Sequence, residues 1–203
     1  ESKASCVNRQ ELGKITDSMM VRGPDSGGVW MSSDSKVGLG HRRLSILDLS
    51  DSGIQPMSIK ELHGVKERYF ISYNGEIYNF HELRRELEQK GVKFRTKSDT
   101  EVILRLYEFY GHSMLRKLRG MFAFAIWDDK QQELFLARDP YGIKPLYFSD
   151  SGGVFRAASQ VKSLLVGGGI KDLSPCSAGH VGFFLFGSIP EPYTLYKSIQ
   201  SLP

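Results

Sequence analysis

Cysteine is scarce in this chain. The 203 residues hold two, Cys6 and Cys176, far apart and in no CxxC pair. That spacing argues against a zinc or thiol-redox motif and fits a reducing, cytoplasmic compartment. No apolar run approaches the ~18 residues that read as a membrane-spanning helix. The opening ESKASCVNRQEL has no apolar stretch of signal-peptide type. Dense basic blocks are missing too. The net charge of +4 is spread over Arg42-Arg43, Arg84-Arg85, Arg116-Lys117 and Lys162. Such scatter leaves no footprint for nucleic acid or a membrane surface. Internal repeats and low-complexity tracts are also absent from the sequence.

What is present is ordinary globular material, 40% hydrophobic and 25% charged. A chain of this length can bury a sizeable core without staples, and a single domain over 1–203 is expected. Asn8 with Glu11 forms a capping-box pattern ahead of Leu12, Ile15 and Met19, which recur on one helical face. The run 22–28, RGPDSGG, reads as loop. Short β-prone runs follow at 29–31 and 37–46, and Tyr69–Tyr73 reads as a strand ending in the turn dipeptide Asn74-Gly75.

Asn79 with Glu82 opens a helix that turns Leu83 and Leu87 inward and closes near Gly91. Ser98 with Glu101 opens another, with Val102, Ile103 and Leu106 inward, closing near Gly111. Strands are expected at 121–127, 133–139, 145–148 and 154–159, joined by turns at 128–130, 141–142 and 150–153. FAFAIW is apolar at consecutive positions, so its strand should be covered on both faces. A short helix at 160–165 ends in three glycines. The segment 175–187 fits helix or strand, and the proline-bearing tail reads as extended. Strands interleaved with a few helices predict a layered α+β or sandwich domain. The abrupt stop at Ser201-Leu202-Pro203 suggests part of a longer protein.

Five residues carry the chemistry. Arg43 could grip a carboxylate with two parallel hydrogen bonds. Glu76 and Asp99 could hold an α-ammonium. The Asn74 side chain beside the Gly75 N–H could form an oxyanion hole. Together they suit a free α-amino acid. Singly, each has a plainer explanation: an exposed arginine, a hairpin turn, a solvated strand residue, a carboxylate in the first turn of a helix. Arg138-Asp139-Pro140 and Lys144-Pro145 read as turn and ion-pair positions.

The motifs RGPDSGG, LGHRRLSILDLS, QPM, ISYNGEIYNFHELRRELE, FRTKSDTEVIL, LRGMFAFAIWD and LFLARDPYGIKPLYF resemble, in order over 20–203, the glutaminase domain of glutamine-dependent asparagine synthetases. The resemblance implies an N-terminal-nucleophile hydrolase fold, a four-layer αββα sandwich with two antiparallel sheets. It implies hydrolysis of glutamine, with ammonia passed to a C-terminal synthetase domain that uses ATP and magnesium on aspartate. No cofactor or metal is expected in this domain, and a homodimer is left open. Arg43 would hold the glutamine carboxylate, Glu76 and Asp99 its ammonium, and Asn74 with Gly75 the oxyanion.

The family nucleophile is an N-terminal cysteine followed by an apolar strand, and that opening is not in this sequence. Cys6 is a poor substitute, standing just before a helix cap, and Cys176 reads as structural. Removing a nucleophile costs on the order of 10⁶ in kcat, so the chain as written is expected not to hydrolyse glutamine. Val21 stands where the family has His, and Gln160 where Glu is usual. A degenerate, non-catalytic scaffold or dimerisation domain is the competing reading, although a scaffold has no need of Arg43, Glu76 and Asp99 together.

Overall fold

The computed structural model describes residues 6–44, 53–62 and 64–203. Helix α1 (Arg9–Asp17) starts at Asn8, whose Oδ1 accepts from the N–H groups of Gln10 and Glu11. The capping box is only half made. Glu11 does not return to Asn8; its carboxylate pairs instead with Arg156 across 145 residues, at 2.5 Å. Strand β1 (Ser26–Met31) pairs antiparallel with β2 (Gly38–Arg43). It begins three residues earlier than the sequence suggested. Ser26, Gly27 and Gly28 sit opposite Arg43, Arg42 and His41, and a side chain at Gly28 would come within 2.4 Å of the Gln55 carbonyl. The glycines that read as loop are there for close approach. The expected strand residues 45–46 lie outside the described residues.

The central sheet has the order β3 (Met57–Lys60), β4 (Glu67–Ile77), β5 (Gly120–Asp128), β6 (Glu133–Arg138), all antiparallel. Strand β3 was not foreseen. The turn expected at Asn74-Gly75 does not exist: β4 runs through both residues, which pair with Ala123 and Phe122. Local turn preference yields there to the ladder with β5. Helices α2 (Phe80–Gln89) and α3 (Asp99–Tyr110) cover one face. Between sheet and helices lies the main core, including Ile71, Ile77, Leu87, Ile103, Leu106, Phe124 and Ile126, all fully buried. Each such side chain contributes about 1.5–3 kcal/mol through burial. On the other face Phe70 and Trp127 pack with Leu39, and Trp30 stacks on Phe70. Strand β5 is thus covered on both sides, as its composition predicted.

Asn79 and Glu101 also depart from the cap pattern, Asn79 at long range and Glu101 on the segment just before its helix. Asn79 makes no side-chain cap on α2; it donates to the Lys117 carbonyl and accepts from Arg119 N–H. Ser98 does cap α3, but buried Glu101 accepts from the N–H groups of Arg95 and Thr96 and from the Thr96 hydroxyl. It clamps the chain entering the helix. A 3₁₀ segment, Gly111–Lys117, bridges α3 to β5.

A further antiparallel sheet has the order β8 (Val154–Ala158), β7 (Tyr147–Ser151), β9 (Gln200–Ser201). Helix α4 (Val161–Gly167) and α1 cover it around Ile15, Leu164 and Ile199. The layers therefore run α2/α3, the four-stranded sheet, the strands β1–β2 and β7–β9, then α1/α4. The expected α+β architecture with antiparallel sheets is found, though the strands form three hydrogen-bonded groups. Arg138 and Asp139 are structural, as read. Arg138 holds Glu191, the Ser201 hydroxyl and the Leu202 carbonyl. The segment 175–187 resolves as a helix, α5 (Ser177–Phe186).

Candidate active site

Strand β4 does two jobs by parity. Side chains alternate along a strand, so Tyr69, Ile71, Tyr73 and Ile77 enter the core under α2 and α3. Phe70, Ser72, Asn74 and Glu76 face the β1–β2 layer. Leu39 of β2 packs with Phe70. Two residues on, the Ser72 hydroxyl donates to the Gly40 carbonyl at 2.9 Å and lies 3.4 Å from His41 Nδ1. Both strands advance in the same direction from there, with Arg43 two residues beyond His41 on β2 and Asn74 two residues beyond Ser72 on β4. Arg43 shares the face of Leu39 and His41, and its guanidinium lies against Gly53, where an added Cβ would stand 2.5 Å from Nη2.

Backbone groups follow the complementary parity. Phe122 sends its N–H to the Asp139 carboxylate and receives Asp139 N–H on its carbonyl. Both its backbone groups thus point away from β4, so the opposing Gly75 is a non-hydrogen-bonded pair of the ladder. The neighbouring odd residues agree. Tyr73 N–H donates to Gln55 Oε1 at 2.7 Å, and Ile77 N–H to Asp99 Oδ2 at 3.1 Å. Even-numbered Tyr78 instead donates toward the β5 side, to the Arg119 carbonyl. Gly75 N–H therefore projects from the edge of β4, between two N–H groups held by side chains. Beyond residue 71, β3 no longer pairs with this edge. Glycine is required at 75 by contact: an added Cβ would lie 2.2 Å from the Met121 carbonyl oxygen and 2.7 Å from Phe122 Cα.

Asn74, Gly75 and Glu76 thus stand together at the end of β4, with Asn74 exposed and Glu76 half-buried, while Arg43 ends the facing strand β2. Asp99 lies beneath, at the start of α3, and is almost fully buried. Its Oδ2 accepts from the Tyr73 hydroxyl at 2.8 Å as well as from Ile77 N–H. Burial, then the adjacent Asp99 carboxylate, pushes the Tyr73 phenol far above its usual range. Burial and the Arg43 charge press the His41 imidazole down to about 4, so it is neutral at pH 7 and adds no second cation beside Arg43. Two surface concavities, of about 540 and 370 Å³, are lined by other residues and include none of the five. Among the described residues no group of His, Cys, Asp or Glu is arranged to hold a metal, and no helix is long and apolar enough to cross a membrane.

Three supporting residues escaped residue-by-residue reading: Gln55, Tyr73 and His41. Gln55 belongs to the QPM motif and His41 to GHRR, so a polar residue inside each motif was the available signal. Nothing local in the sequence ties Tyr73 to Asp99.

The family described as glutamine amidotransferase domain matches residues 2–203. The chain belongs to this family. Among amidotransferase relatives, a glutamine-hydrolyzing asparagine synthetase 1 of Bacillus subtilis (strain 168) is 45% identical over 200 residues, covering 98% of this chain and 30% of that protein. Amidase chry2 of Gibberella zeae is 42% identical over 161 residues, covering 78% of this chain and 23% of that protein. The solved structure of glutamine phosphoribosylpyrophosphate amidotransferase from B. subtilis, complexed with ADP and GMP, superposes with a TM-score of 0.67 at 25% identity, covering 78% of this chain and 41% of that one. The amidotransferase chain spans about 30% of the length of the asparagine synthetase it matches. The fold is that of an N-terminal-nucleophile amidotransferase.

Proposed function

We propose that this domain hydrolyses glutamine in a larger protein and supplies the ammonia for ATP-dependent conversion of aspartate to asparagine. The observation that carries the proposal is the Gly75 N–H, turned out of the β4–β5 ladder beside Asn74. Arg43 holds the substrate carboxylate, Glu76 and Asp99 its ammonium, and Asn74 with Gly75 the oxyanion. The nucleophile is an N-terminal cysteine thiol of the full-length protein. Its thiolate adds to the side-chain amide carbon, and its α-amine carries the proton to the departing ammonia. Water then cleaves the thioester to glutamate and regenerates the thiol. In this reading ATP and magnesium act in a synthetase part beyond residue 203, and the protein works in the cytoplasm.

The test uses the full-length protein with its natural N-terminus. Asn74→Ala should lower kcat for glutamate release about 10²–10³-fold, the usual cost of one oxyanion donor. Arg43→Ala should raise KM for glutamine by ~10–100-fold, because a hydrogen bond to a charged group is worth about 1.5–3 kcal/mol. Asparagine formation from free ammonia should survive both changes. A wild-type protein that releases no glutamate from glutamine, yet makes asparagine from ammonia, would leave the domain as a scaffold. A product other than asparagine would refute the acceptor alone.

A further inference from the structure

Helix α5 is amphipathic the wrong way round. Its buried residues are Gly179 and Gly182, three apart on one face. An added Cβ at Gly179 would sit 2.0 Å from the Thr194 carbonyl oxygen, and one at Gly182 would sit 2.2 Å from Pro190 Cδ. The helix is thus drawn in tightly by its smallest residues. Its large apolar side chains point outward: Phe184 is 83% exposed, Phe186 71%, Leu185 69%, and Val181 and Phe183 about half. Tyr193 and Leu195, on the strap that follows, are also partly bare. A contiguous apolar surface of this kind marks an interaction site.

The surroundings hold the helix firmly rather than leaving it loose. Cys176 N–H donates to the Leu195 carbonyl, Lys197 N–H to the Ser174 carbonyl, and the Thr194 hydroxyl to the Ile199 carbonyl. Gly187 ends the helix in the left-handed conformation, where glycine is favoured. The rigid strap also fixes where the chain leaves. Ser201 N–H donates to the Pro192 carbonyl at 2.9 Å, and Leu202 N–H to the Leu146 carbonyl at 2.8 Å. Pro203 therefore departs beside the 190–195 strap, next to the apolar helix face. The B. subtilis asparagine synthetase relative aligns with this chain over 200 residues, 30% of its own length, so a relative of that size has ample chain to lie against this face.

We propose that the outer face of α5, centred on Val181, Phe184 and Leu185 (i, i+3, i+4, opposite the two buried glycines), is the seat on which the segment of the full-length protein beyond Pro203 docks. The proposal rests on the reading of this chain as one domain of a longer amidotransferase. Docking there would couple the glutaminase domain to the part that consumes its ammonia through a rigid helix rather than a flexible linker. A second copy of the chain is the alternative occupant, and the experiment separates the two.

The full-length protein would carry the photoreactive phenylalanine analogue p-benzoylphenylalanine in place of Phe184, a substitution that keeps an aromatic ring. Irradiation should give a product of monomer mass whose cross-linked peptide maps beyond residue 203. A product of twice that mass would assign the face to a second copy. A product within 1–203, or none, would leave the face uncovered. Either result overturns the proposal. As a second measurement, Leu185→Cys should react with maleimide at least ~10-fold more slowly in the native protein than in urea, as expected of a site exposed only by local opening. Reaction at the unfolded rate in the native protein would overturn the docking equally. Neither readout needs glutaminase activity. A protein that cross-links as expected but releases no glutamate would retain the docking and lose the catalytic reading.

Discussion

Replacing Asp99 by alanine would strip two buried donors of one acceptor, the Tyr73 hydroxyl at 2.8 Å and the Ile77 N–H at 3.1 Å. Each donor left unsatisfied costs about 1–3 kcal/mol, so Asp99→Ala should destabilise this region by about 2–6 kcal/mol. Tyr73→Phe removes one of those donors and leaves the ring in the core, at a cost of about 1.5–3 kcal/mol for a hydrogen bond to a charged group. In the double variant the hydroxyl is no longer there to be orphaned. The two changes should therefore couple by about 1–3 kcal/mol. Peptide-resolved hydrogen exchange across 72–78 of the full-length protein, with urea titration, reads the four corners of the cycle. Asp99→Asn separates structure from binding, because the amide oxygen can still accept from both donors while the charge is gone. It should retain protection of β4 and raise KM for glutamine. A coupling under about 0.5 kcal/mol, within ordinary additivity, would refute the assigned hydrogen bond. An unchanged KM in Asp99→Asn would refute a charge contact with the substrate ammonium.

Two further changes probe the same strand and its neighbour. Gly75→Ala forces a methyl against the Met121 carbonyl and Phe122 Cα; overpacking of this kind costs about 1–3 kcal/mol and should lower both melting temperature and kcat. Gly13→Ala is the contrasting control, since nothing lies within 4 Å of its Cβ position in α1, and it should stabilise by about 0.5–1 kcal/mol. Equal effects from the two would count against the packing argument. His41 gives a pH signature. Burial and the Arg43 charge hold its imidazole at about 4 when folded, against about 6.5 when unfolded, so the unfolded chain binds the extra proton between those values. Stability should fall by roughly 3 kcal/mol as pH drops through that window and lose nothing more from this group below it. His41→Asn should reduce the loss in urea midpoints measured at pH 7 and pH 4.5; identical losses in both proteins would refute the assignment.

How much of this was legible before the structure depended on range. The helices α1, α2 and α3, and the strands β5 and β6, stood where apolar periodicity put them, because their inward faces meet buried cores, α1 in the cluster around Leu164 and the others in the main one. Errors came where a local pattern served a partner outside that pattern. Asn8 and Ser98 capped as read, but Glu11 and Glu101 went to Arg156 and to the 95–96 backbone. Asn74-Gly75 has the strongest short turn signal in the chain, yet the ladder with β5 overrides it. Ser26-Gly27-Gly28 looked like loop because glycine marks both loops and tight strand contacts, and sequence alone does not tell them apart. The five site residues were named through a family resemblance. The direction of the Gly75 N–H, which decides whether the oxyanion idea is feasible, is read from Asp139, sixty-odd residues away in a motif that gave none of the five residues.

The division of labour along β4 has a consequence for how this segment can change over evolutionary time. Apart from Gly75, where packing and site meet, side-chain substitutions within 72–77 leave the other assignments of the strand in place, since core, ladder, site and edge fall to different atoms. An insertion or deletion of one residue cannot do so. It would swap every assignment together, turning Tyr73 and Ile77 out of the core, carrying Asn74 and Glu76 into it, and aiming the position-75 amide at β5. Length at this point is therefore under tighter constraint than identity. A relative that differs here by a single gap has a different site, even if each of the five residue types can still be aligned.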